Sequence, residues 1–93
     1  MAADLAEKTD RYERLLAEAV EAATPVAPSD TPLGEATADL TGMAAAYLED
    51  GRHFRDQDDP VNALAAFSYG HAWLDAGARI GLLEVPDTEL FTV

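Results

Sequence analysis

No cysteine occurs among the 93 residues, which excludes a disulfide framework, a thiolate nucleophile and any zinc site built on sulfur. The absence of thiols favours a cytoplasmic setting. Long apolar runs are also missing. The stretch from Met1 to Glu7 carries acids early, so neither a signal peptide nor a membrane span is expected there. There is no glycine-rich phosphate loop, no nucleotide fingerprint and no basic patch interleaved with aromatics. Basic residues are the scarcest resource: 6 Lys plus Arg stand against 18 Asp plus Glu, for a formal net charge of −12, and Lys8 is the sole lysine. A field of that sign repels phosphate backbones and anionic headgroups, so neither nucleic-acid nor membrane binding is expected.

What remains is ample for a fold. Hydrophobic residues make up 48 % and charged residues 26 %, the balance of a globular protein, and the length suits one domain over residues 1–93. Two readings of the acidity compete. One is an acidic surface facing a basic partner. The other, which the even spread of acids, the preference for arginine over lysine and the abundance of alanine favour, is adaptation to a salt-rich cytoplasm, where ions screen self-repulsion.

Periodicity predicts an all-α chain of three helices at about 3–23, 32–56 and 60–83, followed by a tail at 84–93. In the first, Leu5, Tyr12, Leu15, Leu16, Ala19, Val20 and Ala23 fall within an arc of about 140° at 100° per residue. The opposite face is charged, with Glu7 to Arg11 and Asp10 to Arg14 spaced as four-residue ion pairs. Pro25 and Pro28 break the chain before Thr31, which is placed to cap a second helix with Pro32 in its first turn. That helix buries Ala36, Leu40, Met43, Ala44, Tyr47, Leu48, Gly51 and Phe54, and Gly51 inside the arc suggests close approach by a neighbour. Asp59 and Pro60 repeat the cap. The short turn between Asp56 and Pro60 forces the second and third helices to be antiparallel neighbours, giving an up-down-up bundle.

The third helix confines its polar groups to Ser68, His71, Asp75 and Arg79. Ala63, Ala66, Gly70, Gly77 and Gly81 form a stripe of small residues flanked by Tyr69, Trp73 and Ile80 on one side and by Phe67 and Leu74 on the other. Its apolar arc of roughly 260° exceeds what two neighbours in a bundle would cover. The tail residues Leu90, Phe91 and Val93, a second copy of the chain, or another protein are the candidates to cover the rest.

The order Tyr47, Gly51, Phe54, Ala63-Leu64, Tyr69-Gly70, Leu74-Asp75-Ala76 and Gly81 resembles domain of unknown function 357, an uncharacterised family of short archaeal proteins, over Tyr47 to Leu82. The resemblance implies a compact three-helix fold similar to a spectrin repeat and an archaeal source. It implies no activity.

Constellations that could carry chemistry are thin. Ser68, His71 and Asp75 share a face but lack a strained serine and converging N–H groups, so a solvated polar strip is the expectation and not a catalytic triad. Glu49, Asp50, His53 and Asp56 gather metal-ligand types on one side of the second helix, with a single Asp-x-x-His spacing where a di-iron bundle needs two. Asp56, Asp58 and Asp59 resemble the start of a calcium loop without its glycine and terminal glutamate. No cofactor and no catalytic residue is therefore assigned. The favoured function is a protein-interaction module or homo-oligomer, with Tyr69, Trp73, Ile80 and Phe91 as the candidate interaction face. The alternative is a small-molecule or metal-binding protein, or a minor enzyme, built on Glu49, His53, Asp56 and His71.

Overall fold

The computed structural model describes residues 4–86 together with Leu90 and Phe91. Three helices dominate it: α1 (Leu5–Ala22), α2 (Pro32–Asp56) and α3 (Pro60–Arg79). Each begins at a side-chain cap. The Asp4 carboxylate accepts from the Glu7 N–H at 3.1 Å, the Thr31 hydroxyl from the Gly34 N–H at 3.0 Å, and the Asp59 carboxylate from the Asn62 N–H at 3.2 Å. Each cap satisfies one of the amide groups that a helix start leaves without an internal partner. The turn from α2 to α3 passes through Asp58 at φ 59°, a left-handed conformation that aspartate tolerates better than most residues.

Cross-helix pairs set the topology. Gly51 lies against Phe67, Gly70 against Ala44 and Tyr47, and Gly77 against Leu40, so α3 runs antiparallel to α2. Arg52 meets Glu13 and Arg55 meets Asp10, so α1 is antiparallel to α2 as well and the bundle is up-down-up. The core holds Leu16, Ala19, Ala44, Ala63, Phe67 and Leu74 at 0 % exposure, with Leu83 and Phe91 closing its edges. Small residues on α3 let the backbones approach, and Phe67 and Leu74 fill the space beside them.

Several expectations are corrected. The third helix stops at Arg79, short of Leu83. Gly81, at φ 86°, makes the turn that ends it, and among the described residues no atom lies near enough for Gly81 to serve the small-residue stripe. Leu83–Glu84 then forms a two-residue strand, β2, antiparallel to β1 (Thr24–Pro25), with Thr24 opposite Glu84 and Pro25 opposite Leu83. This tie brings Leu83 down onto Gly77. Ala36 and Met43 are exposed, whereas Thr9 and Thr37 are fully buried. Burial of those two hydroxyls costs little because each donates to a carbonyl one turn back, Leu5 at 2.6 Å and Leu33 at 2.7 Å.

Candidate functional site

An aromatic face crosses α2 and α3 on the side away from α1. Tyr47 and Tyr69 meet edge to face with ring centroids 4.7 Å apart, and Tyr69 meets Trp73 in the same manner at 6.3 Å. Such contacts add about 0.5 to 1.5 kcal/mol beyond area burial and hold the rings in place. Tyr69 and Ile80 nevertheless remain 54 % and 69 % exposed. Two shallow depressions flank Tyr69. One, of about 160 Å³, is lined by Tyr69, Ala72, Trp73 and Ala76; the other, of about 350 Å³, by Tyr47, Phe54, Asn62, Ala65, Ala66 and Tyr69. Trp73 is partly buried against the core, and its indole Nε1 is enclosed without a hydrogen-bond partner among the described residues. An unsatisfied buried donor of this kind costs about 1 to 3 kcal/mol.

Phe91 does not belong to this face. It is 7 % exposed and packs beside His71, with centroids 6.0 Å apart. His71 and Trp73 are two residues apart, which places them roughly 160° apart around α3. Among the described residues, Leu90 and Phe91 therefore lie on the His71 flank, while Tyr69 and Ile80 stay exposed. Leu90 borders a cleft of about 420 Å³ together with Arg11, Tyr12, Arg14, Leu15 and Glu18 of α1. Val93 lies outside the described residues.

The polar strip of α3 is more constrained than a solvated one. His71 Nδ1 is 3.1 Å from Asp75 Oδ2, and Nε2 meets the Leu90 carbonyl. Both ring nitrogens are engaged away from Ser68, which is exposed, so the three residues do not form a triad. Glu49, Asp50, His53 and Asp56 are all exposed along α2, and His71 is held on α3 by Asp75. Among the described residues no group of three or more His, Cys, Asp or Glu side chains is gathered so as to hold a metal ion.

A charged cluster that periodicity did not reveal joins α1 to α2. Arg55 pairs with Asp10 and, at 2.7 Å, with Glu13; Arg52 Nε donates to Glu13 at 2.9 Å. Asp10 is thus taken by Arg55 on another helix and not by Arg14 on its own. Partial burial alone would raise the Glu13 carboxyl, but the hydrogen bonds and charges of Arg52 and Arg55 outweigh it and hold that group below its ordinary range. Hydrogen bonds to Glu13 and Asp10 raise Arg55 further. A side-chain spacing of about 40 residues leaves no local trace in sequence, so nothing short of the fold could have found this cluster.

No helix among the described residues is long and apolar enough to cross a membrane. No curated protein and no solved structure matches the chain. A family model described as protein of unknown function (DUF357) matches residues 11–83, a wider span than the motifs around α3, and the chain belongs to that family.

Proposed function

We propose that the chain is a small helical interaction module that pairs with a second copy of itself through the face of Tyr69, Trp73 and Ile80. The observation that carries this reading is the coincidence of exposure with lack of charge. Tyr69 projects from, and Ile80 directly follows, a helix whose only charged residues, His71 aside, are Asp75 and Arg79, in a chain of net charge −12. Two such chains meeting by their other surfaces would bring carboxylates together, whereas this face lets them approach without that repulsion. A basic partner would seek the acids of α1 and α2 and gain little here.

Shape supports the same pairing. Ala65, Ala72 and Ala76 are exposed and fall within an arc of about 40° on α3, a low ridge over which an equivalent helix can cross closely. Tyr69 and Trp73 then supply the large flanking contacts that dominate interface energies. The dispersed acids support a host with a salt-rich cytoplasm, and an archaeal one in keeping with the family resemblance.

Sedimentation equilibrium in molar KCl tests the reading. A dimer is expected, with a melting temperature that rises with protein concentration. The double substitution Tyr69→Glu, Ile80→Glu should give a monomer of unchanged helical circular dichroism. A parent that stays monomeric at high concentration, or a dimer indifferent to both substitutions, refutes self-pairing through this face.

A further inference from the structure

His71 has an oxygen on each side of its ring. Asp75 Oδ2 lies 3.1 Å from Nδ1, one helical turn along α3, and the main-chain carbonyl of Leu90 meets Nε2. The side chain is only 12 % exposed, and the Phe91 ring leans on it with an interplanar angle of 36°. A carbonyl cannot donate a hydrogen bond, and neither can an ionised carboxylate. Neutral imidazole carries one N–H and one lone pair, so it can satisfy one of these oxygens and must oppose the other. Only the imidazolium donates to both.

We propose that His71 is a proton-operated latch for the C-terminal segment: protonated, it holds the Leu90 carbonyl and with it Phe91 on the bundle, and on losing its proton it lets them go. Asp75 decides which of the two bonds is lost. A lone pair facing a negatively charged oxygen is worse than one facing a neutral carbonyl, so the remaining proton stays on Nδ1. The Nε2 lone pair then opposes the Leu90 oxygen, and attraction turns to repulsion at that contact. Phe91 keeps its apolar contacts, so the outcome is a shift in the docked population.

Among the described residues, the charged and titratable groups around the latch are Asp75 on α3 and, from α1, Arg11, Tyr12, Arg14 and Glu18, which border the cleft beside Leu90. Asp87 and Glu89 of the same segment lie outside the described residues. Of these side-chain types only histidine ordinarily changes charge between about pH 5 and 8. The proposal does not depend on self-pairing, because the latch and the aromatic face lie on opposite flanks of α3.

The test is NMR of the isotope-labelled full chain at about pH 5.5 and about pH 8.5, on either side of the ordinary histidine range. At the lower pH both His71 nitrogens should be protonated and the Phe91 ring should show close contacts to the imidazole. At the higher pH the Nδ1–H form should remain, and the docked population, read from the contacts of the Phe91 ring to the bundle, should fall. His71→Gln, first shown to fold by circular dichroism, should abolish the pH dependence. Equal contacts of the Phe91 ring to the bundle at both values, a neutral His71 protonated on Nε2, or the same pH-dependent loss in His71→Gln overturns the proposal.

Discussion

A β-carbon on Gly51 would lie 2.2 Å from Cε1 of Phe67, so the buried ring on α3 occupies the space that any side chain on α2 would need. Phe67 is fully buried and cannot swing aside. Gly51→Ala should therefore destabilise the fold by about 1 to 3 kcal/mol through overpacking, despite a gain of up to about 1 kcal/mol in helix propensity. Gly42→Ala on the same helix meets nothing within 4 Å among the described residues and should be neutral or stabilising. Thermal melts of the pair separate the two effects. Equal melting temperatures would show that Phe67 is not packed as described.

Glu13 joins α1 to α2 through Arg52 and Arg55. Its folded carboxyl is depressed, so it contributes stability above the ordinary glutamate range, and that contribution is lost as pH falls through the lower, folded range. Glu13→Gln should cost about 0.5 to 1 kcal/mol at neutral pH and low salt, an amount kept small because both arginines are partly exposed. The gap between parent and variant should close on acidification. A constant gap across the acid range would indicate that Glu13 acts by packing and not by charge.

Salt should stabilise the whole protein. Three partly exposed ion pairs weaken as ions are added, each worth about 0 to 1 kcal/mol, but the uncompensated excess of 18 acids over 6 bases is screened at the same time. The Debye length falls from about 30 Å at 0.01 M to about 3 Å at 1 M, so the larger, diffuse repulsion should decide the sign. Melting followed by circular dichroism should move to higher temperature in molar KCl. No shift, or a downward one, would remove the case for salt adaptation.

Phe91→Ala should lower stability by about 1 to 2 kcal/mol. A buried phenylalanine in a rigid core costs about 3 to 5 on truncation, but a terminal segment can undock locally and limits the loss. Trp73 emission should hardly change, since Phe91 sits on the far flank of α3. A red shift in that emission would place the C-terminal segment on the aromatic face after all.

Local signals announce three helices and the starts of the second and third. Thr31 with Pro32 and Asp59 with Pro60 announce α2 and α3 because a cap acts within a single turn, and the small-residue stripe through Ala63, Ala66, Gly70 and Gly77 marks the buried side of α3 because helical period places those residues in one line. The wide apolar arc of α3 was equally legible. Which cover goes where was decided by the fold alone. Leu83 is set onto Gly77 beside the pairing of Thr24–Pro25 with Leu83–Glu84, and Phe91 meets His71 across a separation of 20 residues. Thr9 and Thr37 enter the core through packing that no spacing marks, and Asp10 reads as a partner of Arg14 until Arg55 is seen beside it. Period and capping act over a few residues and are written in the residues themselves. Contacts between distant segments depend on where three helices come to rest, and nothing within one helical turn encodes that.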